Sequence, residues 1–172
     1  MSSILVGIPS FKEAFTSSAF ANQNTTSLVS ILESIGYQTL FFHGAPNGSM
    51  GFLGYGKILG IDNYVGKNEY NNDAYFDGVW GIWSKPFLQF ASNKLSDEKQ
   101  TFFLTIFTVT SHEPYQIPQK YKGKFPRGNA KIHESIGYTL CITTIFSICQ
   151  ATKLVLQYHF CFGWRSWKYY IL

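Results

Sequence analysis

Cysteine is scarce in this sequence, and acidic residues are absent from its last part. The three cysteines, Cys141, Cys149 and Cys161, are eight and twelve residues apart, and neither spacing matches a zinc-binding pattern. All ten aspartates and glutamates lie before residue 140, whereas residues 140–172 carry three cations and no acid. These absences exclude a cysteine-based zinc site and show that the composition changes near residue 140.

Two familiar catalytic patterns are incomplete. The segment Gly51–Lys57 has the spacing of a phosphate-binding loop, but Ile58 replaces the serine or threonine that binds magnesium. Ser49 lies in NGSMG, which is not the GxSxG turn of serine hydrolases. We therefore expect neither a nucleotide loop nor a catalytic serine here.

Met1–Ser10 lacks the basic start and long apolar core of a secretory signal.

The residues that are present are those of a globular domain. The chain has 172 residues, of which 45% are hydrophobic and 18% aromatic, so it can bury a sizeable core. This composition is not that of a disordered or nucleic-acid-binding tail, and we expect no nucleic-acid partner.

The segment Thr101–Val109 is the most informative stretch. Nearly all of its residues are apolar or β-branched, a pattern that predicts an interior strand covered on both faces. The chain becomes polar at Thr110, and His112 follows before Pro114. Ligands of open α/β sheets bind beyond the carboxyl ends of the strands, so His112 is a candidate site residue.

Helical and extended segments alternate along the rest of the chain, which predicts an α/β layered domain. A helix is expected after an N-cap at Asn24 or Thr25, with a single apolar stripe and a stop at Gly36. The stripe comprises Leu28, Ile31, Leu32 and Ile35. The other expected elements are a strand at Tyr37–Phe42, a helix at Ser49–Leu59, an extended piece at Ile61–Val65, a long loop at Lys67–Gly81, a helix at Pro86–Leu95 with Phe87, Leu88 and Ala91 inward, and a helix starting at Ile132–Tyr138.

Two histidines and one basic segment are the remaining candidates for function. His43 heads a glycine-rich loop after one strand, and His112 follows another, so together they predict a site at neighbouring strand ends. An imidazole at His112 could donate to an anionic ester oxygen and, as imidazolium, supply charge. The lysine-rich segment Tyr121–Lys131 fits either a solvated face or a surface for an anionic substrate or headgroup.

Several segments in order resemble the sulfatase-like proteins of the lipoteichoic acid synthase group, in the alkaline phosphatase superfamily. They are FFHGAPNGSMGF, EYNNDAYFDGVWGIW, FLQF, FTVTSHEPYQIP and KFPRGNAKIHESIGYT, within residues 4–139. The resemblance implies part of an alkaline phosphatase-like fold with a mostly parallel sheet. It implies an enzyme that hydrolyses or transfers sulfate or phosphate esters, such as phosphoglycerol or phosphoethanolamine esters, with anionic ester or lipid-headgroup substrates.

The resemblance also implies site residues and a metal. The substrate-binding candidates are His112, His43, Asn47 and Ser111. The complete family enzymes use a threonine activated by a divalent metal, which is manganese, zinc, magnesium or calcium, and are membrane-anchored with an extracytoplasmic catalytic domain. No segment here matches the nucleophile, and the sequence contains no Asp-His pair for the metal. We therefore expect no catalytic residue and no metal ligand in this chain.

The likeness to the family departs at Ser84–Lys85 and stops at Leu140. We expect residues 1–139 to be a partial catalytic domain, incomplete at both ends, and residues 140–172 to be a non-matching, poorly packed tail from a shifted reading frame. The alternative is a non-catalytic membrane-associated protein in which residues 140–163 form an apolar anchor. Gln150 and Lys153 weaken that alternative.

Overall fold

The structure is a computed structural model that describes residues 1–9, 13–23 and 25–139, and the backbone of residues 159–162 and 165–168. Its α-helices are α1 (Ser2–Leu5), α2 (Leu28–Ser34), α3 (Phe52–Leu59), α4 (Lys67–Tyr70), α5 (Ser84–Leu95) and α6 (Ile132–Thr139). Its strands are β1 (Gln38–His43), β2 (Asn63–Val65), β3 (Phe102–Phe107), β4 (His159–Phe162) and β5 (Arg165–Lys168). Short 3-10 turns lie at Phe15–Ser17, Ala19–Asn22, Ser49–Gly51, Asp73–Tyr75 and Gln119–Tyr121. The predicted α/β class is confirmed.

The first three strands form one parallel sheet. The order is β2-β1-β3, and both neighbours pair with β1 in parallel. Parallel strands need a crossover connection, and α3 and α5 lie in the connections after β1 and β2. All three carboxyl ends therefore meet at one edge of the sheet.

The prediction of an interior position for Thr101–Val109 is wrong for the sheet that the structure describes. β1 is the central strand there, and β3 is at the edge. Most of β3 is accordingly only half-buried. A continuous apolar run indicates that both faces of a strand are covered, but it carries no information about pairing along the strand edges.

The two faces of the sheet are indeed both covered. Alternate residues of β1 separate by face: Leu40 and Phe42 pack in one cluster with Phe87 and Ala91 of α5. Leu88 and Leu95 of α5 are buried as well. The expected inward positions of α5 are thereby confirmed.

The opposite face is covered by the N-terminal segment and α3. The buried residues of that cluster are Leu5, Ala21, Val29, Tyr55 and Leu59, with Phe103 of β3 packed against them. Phe41 of β1 meets Phe52 of α3 in an edge-to-face contact with ring centroids 6.0 Å apart. The result is a helix–sheet–helix sandwich. Of the two glycines in the P-loop-like spacing, Gly51 is the N-cap of α3 and Gly56 lies within that helix.

Helix α2 differs from its predicted start and face. Ser27 caps it, because its hydroxyl accepts from the Ser30 amide at 3.0 Å while the Ser30 hydroxyl accepts from the Ser27 amide at 2.9 Å. Thr25 is therefore not the cap, and Asn24 lies outside the described residues. Val29 is the buried contact, whereas Ile31 and Ile35 are half or more exposed. The buried face of α2 is therefore narrower than its apolar stripe predicted.

The predicted loop Lys67–Gly81 contains regular structure. It holds α4 and a 3-10 turn, and Phe76 bridges back to Ile82. Gly36 ends the α2 region in the left-handed conformation at φ 88°, which confirms the predicted stop.

The end of the chain is described only in part. β4 and β5 pair as an antiparallel hairpin, with His159 opposite Lys168. Residues 140–158 and 169–172, on which the expected poor packing of the tail depends, lie outside the described residues. Among the helices of the described ranges, none is long and apolar enough to cross a membrane.

Candidate functional site

The two predicted histidines meet around one aromatic ring at the carboxyl edge of the sheet. His43 ends β1, and Phe107 is its register partner at the end of β3. The His43 and Phe107 rings meet edge to face with centroids 5.1 Å apart. The His112 ring stacks on the same Phe107 at 5.7 Å. Phe107, which the sequence analysis did not single out, is thus the contact that unites the two histidines.

His43 is sealed inside the protein. It is 1% exposed and packs against Phe52 of α3 at 5.1 Å between ring centroids. Its Nδ1 lies 3.2 Å from the Tyr64 hydroxyl. Burial, with a smaller effect of the nearby His112, lowers the pKa of His43 from 6.5 to about 4. The side chain is therefore neutral at pH 7.

His112 is half-buried in the turn that follows β3. The His112 amide donates to the Val109 carbonyl at 3.1 Å, and the Tyr115 amide donates to the His112 carbonyl at 2.7 Å. Burial lowers the pKa of His112 below 6.5. The structure thus favours a neutral imidazole that can donate one hydrogen bond, rather than the charged imidazolium that the sequence also allowed.

A buried hydroxyl pair anchors this turn to α5. Thr110 Oγ1 accepts from the Ser84 amide at 2.8 Å and from the Ser84 hydroxyl at 2.7 Å. Both residues are 2% exposed or less. Buried polar groups are costly to leave without partners, so this hydrogen-bonded pair is favoured. It ties the turn that carries His112 to the start of α5.

The other wall of the His112 pocket comes from the segment 77–81. Asp77 Oδ1 accepts from the amides of Val79, Trp80 and Gly81 at 2.8–3.0 Å and so shapes this turn. Trp80 Nε1 donates to the Glu113 carbonyl at 2.6 Å, and its ring lies 5.9 Å from the His112 ring. Sequence reasoning missed Trp80, although the DGVWG sequence marks a turn that presents an aromatic side chain.

The pocket itself is a small open depression. Its lining residues are Asp77, Val79, Trp80, Val109, Thr110, His112, Pro114 and Gln116. His112 is the one predicted site residue in this lining. Ser111 precedes it in the same turn and is half-buried.

Asn47 lies in a different set of contacts. Its amide donates to both carboxylate oxygens of Glu69, at 2.9 and 3.0 Å. Glu69 also accepts from the Gly66 amide at 2.6 Å, and these hydrogen bonds outweigh burial and lower the pKa of Glu69. Asn47 therefore joins the loop after β1 to α4.

The described residues do not bring together a set of metal-binding side chains. Within residues 1–9, 13–23 and 25–139 there is no group of three or more histidine, cysteine, aspartate or glutamate side chains that could hold a metal ion. Divalent metals bound by proteins need several converging ligands. This part of the chain therefore does not fit a metal centre.

Two solved structures share this fold. A protein of the alkaline phosphatase superfamily from Vibrio parahaemolyticus matches 87% of this chain with a TM-score of 0.68 and 21% identity. The lipoteichoic acid synthase LtaP from Listeria monocytogenes matches 88% of it with a TM-score of 0.69 and 14% identity. The chain spans 38% of the length of each. The predicted partial alkaline phosphatase-like fold is confirmed.

Sequence comparisons identify the family. The lipoteichoic acid synthase-like protein YvgJ from Bacillus subtilis (strain 168) is 29% identical over 62 residues, which are 36% of this chain and 10% of that protein. The sulfatase family model matches residues 1–151, a range that begins at Met1 and continues beyond Thr139. Since that match covers most of the sequence, the chain belongs to the sulfatase family.

Proposed function

We propose that this chain provides part of the substrate pocket of an enzyme that hydrolyses or transfers sulfate or phosphate esters. The substrate is an anionic ester of the phosphoglycerol or phosphoethanolamine type, and its anionic group lies against His112. Family membership supports the reaction class, and the likeness to YvgJ supports the phosphate-ester type. The same likeness supports a place of action outside the cytoplasm and beside the membrane.

The observation that carries the proposal is the difference in access between the two histidines. His112 lines an open pocket, whereas His43 is fully enclosed by aromatic rings and the Tyr64 hydroxyl. A neutral imidazole on a braced turn can donate a hydrogen bond to an ester oxygen. In this proposal His43 supports the site indirectly. It packs against Phe107, and His112 stacks on the same ring.

Ligand binding by the whole chain tests the proposal. Glycerol 1-phosphate is titrated into the wild-type and variant proteins, and binding is measured by isothermal titration calorimetry, a readout that does not need the His112 ring. Wild type should bind, and His112→Ala should weaken binding by about tenfold, as expected when one hydrogen bond to a charged group is lost. His133→Gln, a change at an exposed histidine of α6, is the matched control and should bind like wild type. Equal binding by His112→Ala and wild type, with both folded, would contradict the proposal.

A second part of the proposal is that the chain alone does not turn over substrate. The described residues offer no set of metal ligands, and the chain has no Asp-His pair. Purified protein with added manganese or zinc should therefore leave aryl sulfates and phosphodiesters intact. Metal-dependent turnover that persists through repeated purification would refute this second part of the proposal. The binding experiment on His112 would be unaffected by that outcome.

A further inference from the structure

Three lysines gather around one tyrosine ring. The Nζ atoms of Lys120, Lys85 and Lys124 lie over the Tyr121 ring, at 5.1, 5.2 and 5.7 Å from its centroid. All three lysines are exposed, and Tyr121 is half-buried. Because a ring has only two faces, at least two of the ammonium groups share one of them. We call this group the Tyr121 lysine cluster.

The cluster is built on a fixed platform from three parts of the chain. Tyr121 ends a 3-10 turn, and its ring packs against the ring of Tyr138 in α6 with centroids 5.1 Å apart. Tyr138 is itself 1% exposed. Lys85 comes from the first turn of α5. Segments far apart in the sequence thus bring their positive charges to the same place.

Within the described residues, no ion pair includes a lysine of this cluster. Between Glu113 and Glu134 the sequence has five cations and no acid. The carboxylate of Glu134 is already used, since it pairs with Arg127 at 3.2 Å and accepts from the Gly123 amide at 2.5 Å. The ion pairs found within the described residues join Lys67 to Asp73 and Arg127 to Glu134, so neither includes a lysine of the cluster.

Three close ammonium groups repel one another, and a shared ring compensates only part of that cost. Cation–π contacts at exposed sites are weak. A multiply charged anion placed between the lysines would replace repulsion by attraction. Phosphate groups suit this arrangement because they carry up to two charges and several acceptor oxygens that point in different directions, and lysine binds them as a point charge.

We infer that the Tyr121 lysine cluster is a binding site for a phosphate group, separate from the His112 pocket. The two sites share no residue, because neither Tyr121 nor any of its three lysines lines the pocket. The inference does not rest on the proposed enzymatic function. It gives one of the two roles that the sequence left open for the lysine-rich segment Tyr121–Lys131.

Binding measurements on the whole chain at low ionic strength test this inference. The probes are inorganic phosphate, tripolyphosphate, and vesicles of phosphatidylglycerol mixed with phosphatidylcholine. Wild type should bind tripolyphosphate more tightly than phosphate. The triple variant K85Q/K120Q/K124Q should weaken binding by about tenfold, because three exposed charge contacts are lost together.

The matched control is K57Q/K94Q/K99Q, which removes the same charge from three other exposed lysines and should weaken binding by less than about threefold. His112→Ala should bind tripolyphosphate like wild type. Binding of tripolyphosphate but not of vesicles assigns the site to soluble phosphates, and binding of vesicles as well assigns it to lipid headgroups; both support the cluster. Equal losses in the two triple variants, or no binding of any probe by wild type, would overturn it.

Discussion

The two histidine environments at the carboxyl edge of the sheet differ although both histidines lie near the ends of parallel strands. His43 is the last residue of β1, His112 lies in the turn after β3, and each touches Phe107. His43 is enclosed because α3 begins nine residues later and places Phe52 over it. His112 stays accessible because the segment 77–81 covers only one side, through Trp80. Access at a strand end is therefore decided by the element that folds over it, and four perturbations test this comparison.

The largest effect is expected from Gly81→Ala, which disrupts the contact between the segment 77–81 and Gly44, the residue after His43. A Cβ at Gly81 would lie 2.3 Å from the Gly44 carbonyl oxygen, directly after His43. Backbone atoms cannot move aside cheaply, so we expect a loss of roughly 3–5 kcal/mol in the free energy of unfolding. Chemical denaturation measures it.

The matched control for that change is Gly54→Ala in α3. A Cβ there meets nothing within 4 Å, and alanine favours the helix, so stability should rise by up to about 1 kcal/mol. If Gly81→Ala and Gly54→Ala have equal stabilities, the segment 77–81 does not press on the end of β1 as the structure shows.

The next effect is acid destabilisation through His43. Its pKa is about 4 in the fold against 6.5 ordinarily, so between these values the unfolded chain binds a proton that the folded chain does not. Stability is therefore full above pH 6.5 and falls as the pH drops towards 4, by roughly 3 kcal/mol in all. Denaturation curves at a series of pH values measure this loss.

His43→Gln sharpens the same experiment. Glutamine does not titrate and retains an amide that can meet the Tyr64 hydroxyl, so its stability should depend on pH less steeply than that of wild type. The slope that remains belongs in part to His112, whose pKa is lowered as well. Parallel profiles for the two proteins would show that burial of His43 does not set the acid response.

A smaller effect is expected at the anchor of the His112 turn. Thr110→Val removes the oxygen that accepts from the Ser84 amide and hydroxyl and leaves both buried, at a cost of about 2 kcal/mol. Thr105→Val, at a half-buried position of β3, is the control and should change stability by less than about 0.5 kcal/mol. Similar losses of stability at both positions would contradict the role of Thr110 in anchoring the turn to α5.

The smallest effect is expected from Trp80→Phe, which alters one environment only. It removes the hydrogen bond to the Glu113 carbonyl and should cost no more than about 1 kcal/mol. With less ring over it, the His112 side chain is better hydrated, so its pKa should rise towards 6.5 while that of His43 stays low. NMR titration of the two rings measures both. A change in the pKa of His43 instead would contradict the contact between Trp80 and His112.

The layers of this protein could be predicted from local patterns in the sequence. The strand at β1, the inward residues Phe87 and Ala91 of α5 and the stop at Gly36 all follow from patterns within a few residues. The turn at His112 was predictable for the same reason, because apolar residues end where polar ones begin. These features depend on local spacing, and local spacing is what a single sequence displays.

The tertiary structure alone decided where these layers meet. Pairing placed β1 rather than β3 at the centre of the described sheet, α3 buried His43, and Glu69 engaged Asn47. It also collected Lys85 with Lys120 and Lys124 around one ring. Each outcome depends on contacts between different elements of the fold, and hydrophobic periodicity reports which face of an element is covered but not which partner covers it.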